Sequence, residues 1–273
     1  MKRFIKRVLS IAGSDSGGGA GIQADIKTCA ALGCYGMTAI TAITAQNTVG
    51  VAAIHEVPVS DVSAQIASVL EDIGVDAVKT GMLANAGIIH ETAAMLERYE
   101  VARLVVDPVM VSKSGAILLQ DEAVDALKTR LLPLATVITP NVPEASVLTG
   151  IEIKTEADIR ETLDALFALG PRYVLLKGGH LASEEAADYL FDGSLVRAYS
   201  TRRIKTRHTH GTGCTYSAAI ACYLAQGCEA PEAVRLAKDY LTGAIENSDI
   251  LCIGNGVGPL HHGWRMRLTC EEM

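Results

Sequence analysis

Residues 8–44 read VLSIAGSDSGGGAGIQADIKTCAALGCYGMTAITAIT. An apolar run (8–13) leads through a glycine loop into a helical pattern (21–33) that stops at Gly33, and a second apolar run (37–44) follows. This is a βαβ unit, and strands so continuously apolar are covered on both faces. The alternation continues with strands AVKTGM (77–82), LVVDPVM (104–110), TVITPN (136–141) and YVLLKGG (173–179). Helical patterns at 60–74, 85–100, 121–132 and 155–170 separate them. After residue 179 a hairpin over 186–204 turns at Asp192-Gly193, and helices follow at 212–227 and 231–248. The expected fold class is α/β: one domain over 1–273, a three-layer sandwich with a mostly parallel central sheet flanked by helices.

Composition narrows the function. The chain has 273 residues, 49% of them hydrophobic, and a formal charge of −7. That charge argues against a nucleic-acid surface, and disorder is excluded by the apolar content. The basic run TRRIKTRHTH (201–210) reads either as a strand with a solvated face or as a cationic wall beside an anion site. Seven cysteines, an odd number without a CxxC pair, suit a reducing cytoplasm rather than a disulfide framework or a zinc site. No apolar run approaches the ~18 residues that span a bilayer, so no membrane contact is expected.

In open α/β sheets the ligand lies beyond the carboxyl ends of the strands. Polar segments gather at those ends: GSDSGGGAG (13–21), AQNT (45–48), TGML (80–83), DPVM (107–110), TPNVPE (139–144), KGGH (177–180) and GTGC (211–214). The glycine loop matches neither the P-loop nor the GxGxxG pattern. GTGC opens a helix, where free amides and the macrodipole favour an anion. The same field favours a thiolate at Cys214, which reads as a nucleophile, a proton acceptor or a small buried residue. Asn141 and Glu144, three apart, suit a Mg²⁺ held through waters or simply a helix start. Asp107 and Lys177 place opposite charges at neighbouring strand ends. His261-His262 reads as surface.

In this order, AGSDSGGGAGIQADIKT, TAITAQNT, KTGML, DPVM, TPNVPEA, LLKGGH and GTGCTYSAAI resemble the hydroxymethylpyrimidine/phosphomethylpyrimidine kinases of thiamine biosynthesis, ribokinase-like enzymes. The resemblance covers residues 7–263. It implies ATP and Mg²⁺, a homodimer, and phosphorylation of 4-amino-5-hydroxymethyl-2-methylpyrimidine and then of its monophosphate. It implies that Gln46 bonds the aminopyrimidine while Gly13, Ala20, Asp25, Met82 and Val109 line its pocket. Asn141, Glu144, Lys177 and Lys238 would face the nucleotide, with Glu144 and Asp107 near the metal or the transferred phosphate. Gly211, Thr212, Gly213 and Cys214 would receive the developing charge, Cys214 orienting or deprotonating the hydroxyl. Two departures stand out: Ser16 replaces a frequent proline, expected to loosen the loop, and NGVGPLHHGW carries an extra glycine and valine. The nearest alternative is a pyridoxal or pyridoxine kinase. A sugar kinase, a ligand sensor and a covalent thiol enzyme are weaker alternatives.

Overall fold

A computed structural model describes residues 5–110, 121–178 and 185–266. The chain runs β1 (Arg7–Asp15), α1 (Gly21–Ala31), β2 (Tyr35–Gln46), β3 (Val51–Glu56), α2 (Val59–Ser68), β4 (Ala77–Thr80), α3 (Ala86–Arg98) and β5 (Leu104–Val106). It continues with α4 (Asp121–Ala126), β6 (Val137–Ile138), α5 (Val142–Thr149), α6 (Glu156–Phe167), β7 (Tyr173–Leu176), β8 (Glu185–Phe191), β9 (Val196–Arg202), α7 (Thr212–Ala225) and α8 (Ala230–Glu246).

Nine strands form one sheet in the order β3-β2-β1-β4-β5-β6-β7-β8-β9. The six from β2 to β7 are parallel, and β3, β8 and β9 extend the edges antiparallel. Both faces are buried, because successive side chains of a strand point to opposite sides. Leu9, Val78, Leu104, Val106, Ile138 and Val174 face a core built with α2, α3, α5 and α6. Val8, Ala77, Val105, Val137 and Leu175 face α1, α7 and α8. This is the expected α/β sandwich.

Two elements escape the hydrophobic pattern. β3 is an edge strand with five of its six residues exposed, so nothing selects an apolar alternation there. α5 has too few turns to show a stripe, and its start is set instead by capping. The helical pattern at 60–74 is continuous but leaves α-geometry for a π-turn at Val69–Ile73. Residue 179 of the sixth predicted strand, and Gly179-His180 of KGGH, lie outside the described residues. Strand order reverses between β1 and β4: β2 lies on one side of β1 and all later parallel strands on the other. The crevice at such a switch point is where ligands bind.

Candidate active site

A cavity of roughly 930 Å³, mouth included, opens at that crevice. Its walls come from every parallel strand end: Gly13 to Asp15 after β1, Gln46 after β2, Lys79 and Met82 around β4, Asp107 and Val109 after β5, Asn141 and Glu144 after β6, Lys177 after β7. Ala20, Gly21 and the segment His210–Cys214 close it.

Asp107 and Lys177 form its electrostatic centre. Asp107 Oδ1 accepts from Lys177 Nζ at 2.8 Å and from Thr139 Oγ1 at 2.9 Å, and Oδ2 accepts from Ser217 Oγ at 3.3 Å. Burial alone would raise this carboxyl, but the Lys177 and Lys79 ammonium groups outweigh it and hold Asp107 below the ordinary range. Burial would likewise discharge Lys177, and Asp107 with Glu144 more than restores its charge. Asn141 caps α5: its Oδ1 accepts from the Glu144 amide at 2.9 Å, and a Glu144 carboxylate oxygen accepts from the Asn141 amide at 2.8 Å. The helix-start reading of TPNVPE is therefore real, and the same two residues also line the cavity. Burial pushes Glu144 up to about 7, against the pull of Lys177.

GTGC, the expected anion loop, opens α7 at the cavity wall. Gly211 stands at φ +83° and caps α7, whose first turn points Gly213 toward the ion pair. A Cβ on Gly213 would lie 3.4 Å from Lys177 Nζ and 3.5 Å from Asp107 Oδ2. Cys214 differs from the expectation of a thiolate. Burial pushes its thiol up to about 11, and the opposing Lys79 ammonium and Gly21 amide do not offset that.

Two expected cavity residues are elsewhere. Asp25 sits behind the wall, 1% exposed, accepting from Lys79 Nζ at 2.8 Å and Ser10 Oγ at 2.6 Å. It anchors the lysine that lines the cavity. Lys238 lies outside the cavity lining, donating at 2.6 Å to Asp188 and at 3.0 Å to the Ala186 carbonyl. Its charge is consumed in joining α8 to β8. Lys238→Met should lower stability by about 3–5 kcal/mol, since Asp188 is left buried without its partner. Thermal unfolding tests this; an unchanged midpoint with a raised KM for ATP would return Lys238 to the nucleotide.

Three participants were missed: Lys79, Asp15 and His210. His210 Nε2 lies 2.8 Å from Asp15 Oδ2 and 3.3 Å from Gln46 Nε2. Asp15 also accepts from the Gly17, Gly19 and Ala20 amides, so one carboxylate shapes the glycine loop and fastens it to the anion loop. Burial would raise Asp15, but His210 and these amides keep it lowered. Its position within GSDSGGG was the available signal. Ser16, expected to loosen the loop, links it to the end of β2: its Oγ donates to the Gln46 carbonyl at 2.6 Å and accepts from the Gln46 amide at 2.8 Å. His262 is buried, not surface, with Nε2 2.9 Å from Thr215 Oγ1.

A family model described as phosphomethylpyrimidine kinase matches residues 15–261. The chain belongs to that family. It is 52% identical over 259 residues to the hydroxymethylpyrimidine/phosphomethylpyrimidine kinase of Streptomyces coelicolor, covering 95% of each. Among solved structures it is similar to an ADP complex of Bacillus subtilis pyridoxal kinase (41% identity, 96% of this chain and 99% of that one, TM-score 0.88). It is also similar to Staphylococcus aureus pyridoxal kinase with AMP-PCP and pyridoxal (36% identity, 97% and 96% coverage, TM-score 0.87). As a member of the phosphomethylpyrimidine kinase family it is a phosphotransferase with the ribokinase-like fold. No described helix is long and apolar enough to cross a membrane.

Proposed function

We propose that the chain transfers the γ-phosphoryl group of ATP to the hydroxymethyl group of 4-amino-5-hydroxymethyl-2-methylpyrimidine, and then to the resulting monophosphate. The observation that carries this reading is the meeting, in one cavity, of Gln46, the Asp107–Lys177 pair and GTGC. The curated relatives of the chain carry both activities in their names.

Phosphoryl transfer is mostly positioning and charge neutralisation. The Gly213 and Cys214 amides at the mouth of α7 meet the charge on the transferred group, with Lys177 beside them. Asp107 keeps Lys177 extended and charged. Among the described residues no cluster of three ligating side chains could cage a metal. Mg²⁺ suits such a site when it arrives on the nucleotide phosphates and keeps waters that Asp107 and Glu144 can bind. The metal would neutralise phosphate charge. Cys214 lines the same cavity, where the Lys79 ammonium partly opposes the burial that keeps its thiol protonated.

Gln46 decides the substrate in this reading, because an amide donates and accepts at once, as an aminopyrimidine edge requires. A pyridoxal kinase is the second reading, favoured by the solved structures of similar shape. Gln46→Leu should lower kcat/KM for the pyrimidine about 10- to 100-fold, the worth of two hydrogen bonds, without changing ATP turnover on a poor acceptor. Steady-state kinetics with the pyrimidine and with pyridoxal tests it. An unchanged ranking of the two would remove Gln46 from substrate choice.

A further inference from the structure

Three thiols that take no part in the cavity meet at the other end of the sheet, beside the amino end of β2. The closure of α1 brings the first two together. Gly33 stands at φ +72°, and its amide donates to the Ala30 carbonyl at 3.2 Å while the Cys34 amide donates to the Cys29 carbonyl at 2.8 Å. This paired closure puts the side chains joined by the outer bond in contact, here Cys29 and Cys34. α7 then lays Cys222 against them. Cys222 Sγ lies 3.5 Å from Cys29 Sγ, and Cys34 Sγ lies 3.9 Å from the Cys222 carbonyl oxygen. One turn on, at the end of α7, Gln226 Nε2 donates to Cys34 Sγ at 3.4 Å and to the Leu32 carbonyl at 2.8 Å.

A close helix crossing needs only small residues, and α7 already supplies buried Ala218, Ala219, Ala221 and Ala225. Packing does not call for three thiols and an amide aimed at one of them. The thiols also differ in depth. Cys222 is 0% exposed, Cys29 2% and Cys34 7%, and Cys34 sits between exposed Gly33 and Tyr35 with exposed Gln226 beside it. The neighbouring Cys222 thiol and the Gln226 amide hold Cys34 down to about 7 despite its burial. Cys222, flanked by both other thiols and buried, is pushed well above the ordinary thiol range. The outermost sulfur is thus the one that carries a thiolate, the form that attacks, and the inner one keeps its proton.

We propose that this cluster is a modification site for hydroperoxides, in which Cys34 meets the oxidant and Cys222 closes a disulfide with it. The Cys34 thiolate attacks the outer peroxide oxygen, the O–O bond breaks, and the departing alkoxide or hydroxide takes a proton from water. Cys34 is now a sulfenic acid. The Cys222 sulfur attacks it, the S–S bond forms, and the hydroxyl leaves with the Cys222 proton as water. The two sulfurs lose two electrons and the hydroperoxide gains them. Cys29 is wedged between Cys222 and β2, where a Cβ on Gly36 would stand 3.0 Å from its own Cβ, and it takes no part.

The test treats the whole protein with a slight excess of hydrogen peroxide near neutral pH, alkylates the remaining thiols and maps the peptides. The expected product is an intramolecular Cys34–Cys222 bond, seen as the loss of two hydrogens and reversed by dithiothreitol. Cys222→Ala should strand the sulfenic acid on Cys34, where dimedone traps about 10-fold more of it than in the native protein. Cys29→Ala should form the bond as the native protein does. Matched thermal midpoints control for folding, and the mapping of the native protein needs no variant. Oxidation confined to the exposed Cys252 would overturn the proposal. So would a bond joining Cys222 to Cys29 with Cys34 still reduced.

Discussion

Lys177→Met should reduce kcat by about 1,000-fold on either acceptor, the scale of losing one preorganised charge at a transition state. KM for ATP should rise less. Lys177 lies 2.8 Å from Asp107 and beside Gly213, so its ammonium is fixed at the mouth of α7, where the proposed transfer puts its negative charge. The substitution also strands Asp107, which is 2% exposed. Breaking a buried pair from one side costs about 3–5 kcal/mol. Lys177→Met/Asp107→Asn should recover most of that stability and none of the turnover, separating the two effects. There is a pH signature as well. In the native protein the folded Asp107 pKa is lowered, so its contribution is present at neutral pH and lost as pH falls through the acidic range. Without Lys177, burial dominates and raises the folded pKa above the unfolded value of about 3.9. The single variant should then become more stable as pH drops from neutral toward 5. Chemical denaturation across that range measures it; a flat profile would mean Lys79 alone suffices to hold Asp107 ionised.

Gly211→Ala should be nearly as damaging for a different reason. Gly211 has φ +83°, a region that costs an alanine about 1–2 kcal/mol. Its Cβ would stand 1.8 Å from the Gly19 carbonyl oxygen. Gly19 cannot retreat, because Asp15 holds its amide at 3.1 Å and the His210 ring packs on its other side. The glycine loop and the anion loop must separate, and kcat/KM should fall by about 100-fold or more, together with the thermal midpoint. Gly213→Ala is the contrasting case. Its Cβ finds tight but tolerable room near Lys177 Nζ and Asp107 Oδ2, in the space intended for an anion. It should fold with a near-native midpoint and still lose turnover. Equal stability losses in the two variants would show that the loop contact, not the anion space, governs both.

The sheet and its helices were legible because both cores follow simple periods: Leu9 and Val8 alternate between faces, as do Val78 and Ala77. β3 was not legible, since an exposed edge strand has no buried face to pattern it. The site's glycines, Asp107, Lys177 and Cys214 were visible as polar residues at strand ends. Lys79 was hidden inside an apolar strand, and only the fold shows the Asp25 carboxylate that keeps its charge. The exchange of roles between Asp25 and Lys79 has the same origin. Either residue type can line a pocket, and which one stands in front is set by α1 packing on β1. Asp15 and His210 lie 195 residues apart, and no local signal pairs them. The protonation of Cys214 was not legible because the helix field is visible in GTGC, whereas the opposing burial is a property of the packed site.

The most direct test is ADP release from Mg·ATP by the purified protein, offered hydroxymethylpyrimidine, its monophosphate and pyridoxal in separate reactions. The account predicts turnover on both pyrimidines, with the diphosphate accumulating from either, and a kcat/KM for pyridoxal well below theirs. Turnover confined to pyridoxal would contradict it, leaving the phosphate machinery in place and overturning the role assigned to Gln46.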